Sequence, residues 1–137
     1  MGAWGVLALE NDAACDWAYD LDGVEDLRNV EAALEQVLVV GDDYLDADVA
    51  CDALAACEVL ARLQGRPGYT NAHTEAVDQW VAARRDRIVP SGELLARASA
   101  AIYRILGEDS ELSELWDESG GEEWREAVED LHRRLGK

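Results

Sequence analysis

The stretch from Asp46 to Gln64 sets the tightest limit on what this chain can fold into. Val49 or Ala50, Ala53, Leu54, Cys57, Leu60 and Ala61 recur at three- and four-residue spacing, so one stripe of a long helix is apolar and has to be covered. Asp46 stands where an N-cap belongs, and Gly65 where a left-handed stop belongs. The stripe is rich in alanine, which raises intrinsic helicity and lets partner helices approach closely. Such a helix needs other helices packed round it.

The rest of the chain supplies them. Asn11 or Asp12 can cap a short first helix with Ala13, Trp17 and Leu21 on its buried face. From Gly23 onward, Leu27, Val30, Leu34, Val37 and Leu38 keep helical spacing, with Glu31 and Glu35 outside. Gly65-Arg66-Pro67-Gly68 is turn chemistry and places the main loop at residues 64–73. A shorter helix is expected from about Thr74 to Arg85 on Val77, Trp80 and Val81. Pro90 and Ser91 open an amphipathic helix carrying Leu94, Leu95, Ala98, Ile102, Ile105 and Leu106, which Gly107 ends. Ser110 opens a short helix with Leu112, Leu115 and Trp116. Ser119 and Glu122 have capping-box spacing ahead of a last helix with Trp124, Val128, Leu131 and Leu135.

No segment alternates with period two for long enough to demand a strand; Val6 to Leu9 is at most a short extended piece. The expected fold is therefore all-α: a single compact domain over residues 1–137, of about seven helices. Residues 1–10 form an extended Gly/Trp segment packed on the bundle, where Gly2 and Gly5 permit a bend that lays Trp4 against it. A chain of 137 residues, 49% apolar, suits one core and needs no second.

Charge narrows the function classes. Thirty acids against twelve bases give a net charge of −18, unevenly spread. Residues 1–60 hold fifteen acids and a single Arg, whereas residues 61–107 hold four acids and seven Arg. Nucleic-acid binding wants a basic face and is disfavoured, whereas solubility, cation binding or attraction to a basic protein partner all suit such acidity. No apolar run approaches a membrane span, and the start lacks the basic flank and long apolar core of a signal peptide. Cys15, Cys51 and Cys57 match no disulfide or zinc pattern and read as small buried hydrophobes of a reducing compartment. The expectation is a cytoplasmic protein without membrane attachment.

The candidate chemistry is thin. Asp12, Asp16 and Asp20 stack at i, i+4 along the first helix, a ladder of like charges that calls for solvent, a cation or a partner. Asp42, Asp43, Asp46, Asp48 and Asp52 crowd the next turn, but without the central Gly and terminal Glu of an EF-hand loop. Glu129 and His132 make one Glu-x-x-His, where di-iron bundles need two copies and two further glutamates. No nucleophile and base pair, cofactor motif or metal-ligand set can be assembled. Glu58 with Arg62, Glu93 with Arg97, Glu129 with Arg133 and Asp130 with Arg134 read as helix-stabilising pairs.

Met1-Gly2-Ala3-Trp4-Gly5, Glu10-Asn11-Asp12 with Ala14, Asp16 and Trp17, Gly41-Asp42-Asp43-Tyr44-Leu45, Ala53 to Leu63 with Gly65-Arg66-Pro67-Gly68, and Ser113-Glu114-Leu115-Trp116 to Trp124 together resemble a bacterial family known only as domain of unknown function 4259. Ala13 stands where that family has a second acid after Asn-Asp. The resemblance implies no activity and transfers no catalytic residue. The expectation is a non-enzymatic protein-binding module, such as an antagonist or immunity-type inhibitor of a basic toxin, with Trp4, Asp12, Asp16, Asp20, Asp42 and Asp43 as contacts. A cleft-based or metal-dependent enzyme using Asp42, Asp43 or the Glu129 and His132 pair is one alternative, and acidity that serves solubility alone is another.

Overall fold

The long alanine-rich helix is enclosed on all sides. The structure, a computed structural model, describes residues 5–136, so Trp4 and its expected docking lie outside the described residues. Helix α1 spans Asp12–Tyr19, α2 Arg28–Leu38, α3 Ala47–Leu63, α4 Glu75–Arg84, α5 Gly92–Leu106, α6 Glu111–Asp117 and α7 Glu122–Leu135. A 3-10 turn, Ala72–Thr74, precedes α4. Among the described residues there is no strand; Leu45 and Ser110 form one isolated parallel bridge. All six other α-helices pack on α3, so the all-α expectation holds, as one compact domain.

The stripe expected on α3 turns out to be its whole circumference. Every residue from Ala53 to Leu63 is buried, including Glu58 and Arg62. A helix surrounded in this way has no solvated face on which to put its polar residues. Charge inside then has to be paired, because an unpaired buried ion costs several kcal/mol.

The pairing is dense. Glu58, 1% exposed, accepts from Arg134 Nη1 at 3.1 Å and Nη2 at 3.0 Å, and from Arg62 Nε at 3.2 Å. Arg62, 2% exposed, spends its remaining nitrogens on Asp78 Oδ1 at 2.7 Å and the Tyr69 carbonyl at 2.7 Å. Arg134 also donates to Asp130 and to the Arg66 carbonyl. Its guanidinium lies so close to Gly68 that a Cβ there would meet Arg134 Nε at 2.6 Å. The turn sequence of the main loop therefore serves close approach as well as chain reversal. Thr74 donates to Asp78, and Tyr69 accepts from the Leu9 N–H, which ties the N-terminal segment to the same network.

Several local expectations shift. Residues 5–10 form bends and a turn, not an extended piece, because the Glu10 N–H returns to the Leu7 carbonyl and the Glu10 carboxylate accepts from the Leu7 N–H. Leu9 is buried there. Asn11 does cap α1, accepting from the Ala14 N–H at 2.8 Å, but the face turned inward centres on Ala14 and Ala18, with Ala13 and Trp17 half-buried beside it. Ser119 forms no capping box. The Ser119 and Gly120 N–H groups fold back onto Trp116 and Asp117 carbonyls, so the cap position falls on Gly121 in the left-handed conformation, φ 65°. Arg97 pairs with Glu35 rather than Glu93, and Arg133 with Asp130 rather than Glu129, because the partners lie on the neighbouring helix or one residue closer.

Three substitutions test this packing. Glu58→Ala leaves the Arg62 and Arg134 guanidiniums facing each other, and chemical denaturation should report a loss of about 3–5 kcal/mol. Gly121→Ala should cost at least about 1 kcal/mol, because the left-handed backbone and Asp117 both oppose a Cβ. Gly92→Ala, where a Cβ meets nothing within 4 Å, should leave the melting temperature unchanged or raise it.

Candidate functional site

Helix α1 lies along α3 with its acidic edge outward. Asp12, Asp16 and Asp20 are exposed on that edge, and the first turns of α3 bring Asp48 and Asp52 alongside it. Asp52 is half-buried in a cleft with Trp17, Asn29, Ala33 and Val49. Burial, and then the negative charges of Asp48, Asp16 and Asp20, push its carboxyl up to about 6. Three acids that the sequence put in one ladder are thus joined by two from a different helix.

Asp42 and Asp43 sit elsewhere, in the turn between α2 and α3. Leu45 holds this turn against the start of α6, its N–H on the Asp109 carbonyl at 2.8 Å and its own carbonyl accepting from Glu111 N–H at 2.9 Å. Arg104 reaches the turn but donates to the carbonyls of Gly41, Asp43, Glu108 and Asp109, leaving the Asp42 and Asp43 carboxylates without it. Asp46 shares a hydrogen bond with Glu111, which raises the Asp46 carboxyl. Glu111 goes the other way, chiefly because its Oε1 accepts from the Ala47 N–H at 2.8 Å, capping α3 where Asp46 itself does not. The Tyr44 hydroxyl donates to Glu114 at 2.7 Å and is pushed up to about 12.

Asp48 connects the two groups, since its charge acts on both Asp52 and Asp46. The result is one acidic band from α1 across the start of α3 to α6. Among the described residues, none of Asp12, Asp16, Asp20, Asp42, Asp43, Asp46, Asp48 and Asp52 takes part in an ion pair. The arginines that form pairs go to Asp26, Glu25, Glu35, Glu58, Asp78, Asp117 and Asp130.

The enzyme candidates do not converge. No group of three or more His, Cys, Asp or Glu among the described residues is arranged to hold a metal ion. His132 contacts Ser99, on α5, while Glu129 is exposed. Cys51 and Cys57 are buried and Cys15 half-buried, all three free thiols pushed upward mainly by burial. No helix of the described residues is long and apolar enough to cross a membrane.

A family model, Domain of unknown function (DUF4259), matches residues 2–127. The chain belongs to that family. The matched stretch contains the whole acidic band together with Glu58 and Arg62, and it ends before Asp130, His132 and Arg134. No curated protein and no solved structure matches the chain.

Sequence reasoning grouped Asp52 with the Asp42 turn and missed that it faces α1. It also missed the inward Glu58 and Arg134 pair, although the unbroken apolar run around Glu58 is a signal for it. The Ser99 and His132 contact joins residues 33 apart and has no sequence signal.

The Asp52 carboxyl gives a pH test. Its pKa is raised from 3.8 to about 6, so the folded state binds this proton more tightly than the unfolded state. The contribution of Asp52 is most favourable below that window and is lost as pH rises through it. Asp52→Asn should therefore melt higher than wild type above pH 6, with the difference closing toward pH 4.

Proposed function

We propose that this protein is a non-enzymatic protein-binding module whose acidic band docks a basic protein partner, as an antagonist or immunity-type inhibitor of a basic toxin would. The observation that carries the reading is the acidic band itself, whose aspartates form no ion pair among the described residues; burial, and then neighbours of its own sign, raise the Asp52 carboxyl to about 6. A cationic partner relieves that repulsion, so part of the binding energy is stored in the free protein. Asp12, Asp16, Asp20, Asp42 and Asp43, together with Trp4, form the contact set, with Asp48 and Asp52 between them.

Shape supports the same reading. Tyr19 is 70% exposed and flanks a groove between α1 and α4 that Asp12, Asp16, His73 and Glu75 also line, with a volume of about 380 Å³. An exposed aromatic face amid carboxylates suits the guanidinium or ammonium group of a partner, which it attracts through the ring as well as through charge. Long-range steering by a band of this sign speeds encounter and is screened by salt.

The test is affinity capture on the full chain at low and high salt, followed by binding measurements on whatever basic protein is retained. Neutralising Asp16, Asp20 and Asp48 to Asn should weaken that binding about tenfold or more, chiefly through a slower association rate. Asp86→Asn with Glu129→Gln, which removes as much charge per site outside the band, should change it little. A partner that binds equally well after the band is neutralised, or whose affinity ignores salt, would sink the proposal.

A further inference from the structure

A second cleft lies away from the band, where the C-terminal turns of α7 meet the first turns of α5. Leu95, Ala96 and Ser99 of α5, His132 and Leu135 of α7, and Gln64 beyond the end of α3 line it, around a volume of about 470 Å³. That volume falls within the range of small-molecule sites. Among the described residues, the lining contains no Asp, Glu, Lys or Arg. In a chain of net charge −18 this is a distinct electrostatic setting.

Its polar floor is one hydrogen-bonded pair. Ser99 Oγ lies 2.6 Å from His132 Nε2. The imidazole is further positioned by Tyr103, whose ring meets it edge-on at 5.0 Å and 73°. Gln64 spends its side-chain NH2 on the Leu60 and Leu135 carbonyls. A serine hydroxyl has one proton and two lone pairs, so bonding to a single ring nitrogen leaves capacity over in either tautomer. When Ser99 donates to His132, its oxygen still accepts; when His132 donates, the Ser99 O–H is left to donate. A ligand hydroxyl satisfies both cases, since it can play either part.

Acyl transfer does not suit this pair. Ser99 sits in the interior of α5, a helix running from Gly92 to Leu106, where the surrounding amides are spent on helix bonds and no two N–H groups can converge on an oxyanion. The pair is a recognition element.

We propose that this cleft binds a neutral small amphiphile, with an aliphatic body against Leu95, Ala96 and Leu135 and a hydroxyl head at Ser99 and His132. A carboxylate head is repelled by the net charge of the chain and finds no Lys or Arg among the described residues of the lining. An ammonium head would lose its hydration against apolar walls while the acidic band offers it a wetter site.

The experiment titrates 1-octanol, and separately octanoate, into the ¹⁵N-labelled full chain and follows amide shifts. Octanol should give saturable shifts confined to the first turns of α5 and the last turns of α7, with octanoate at least about tenfold weaker, a difference worth about 1.4 kcal/mol. Ala96→Trp, at an exposed helix position, should fill the cleft and abolish the octanol shifts, and Ser99→Ala should weaken them several-fold with the wild-type spectrum otherwise kept. Shifts that fail to saturate, octanoate binding as tightly as octanol, or octanol binding undiminished in both variants would overturn the proposal.

Discussion

The carboxylate of Glu58 is the constraint on which the rest of the structure depends. It sits on a helix with no solvated side over its last three turns, and burying an unpaired carboxylate would cost far more than a domain of this size can spare. Arg134 meets it with a two-pronged contact from α7, while Arg62 approaches along α3 itself. Satisfying those guanidiniums in turn recruits Asp78, Asp130 and the carbonyls of Arg66 and Tyr69. One buried charge thereby fixes the positions of α3, α4, α7 and the main loop relative to each other. Apolar packing alone would tolerate sliding; directional charge-assisted bonds do not.

The same distribution of charge explains why the acidic band is left without ion pairs among the described residues. Residues 1–60 contain one Arg, and Arg28 is engaged with Asp26. The cations of later segments are drawn to Glu58, Glu25, Glu35 and Asp117, or, for Arg104, to backbone carbonyls. Among the described residues, the aspartates of α1, the α2–α3 turn and the start of α3 consequently form no ion pair. Repulsion there is a property of the fold, and Asp52 registers it because partial burial reduces the screening that water gives the outer carboxylates.

The two proposed sites use opposite physics. The band is wet, charged and extended, suited to a large partner found by long-range attraction. The α5 and α7 cleft is concave and, among the described residues, lined by no Asp, Glu, Lys or Arg, which suits a small molecule held by apolar contact and a pair of polar groups. They share α3 as common support, since α1, α5, α6 and α7 all pack on it.

Helix existence was legible in the sequence because periodicity reports which side of a helix needs cover, and Asn11, Ser91 and Gly65 act through local geometry that neighbours cannot override. Family membership was legible for the same reason, being carried by short local patterns at the turns and the long helix. What local pattern could not reveal was which helices meet. Glu58 with Arg62 looks like any i, i+4 surface pair until the other helices close over it. Ser119 looks like a cap until the turn from α6 moves that role to Gly121. Asp52 looks like part of the α2 and α3 turn until α1 is laid beside it, and His132 acquires its partner only when α7 packs on α5. Amino-acid order determined the helices and the sign of the charge, since both follow from interactions a few residues long. Tertiary packing alone decided which charges were buried, paired or left facing one another, because burial and electrostatic coupling depend on distance in space and not along the chain.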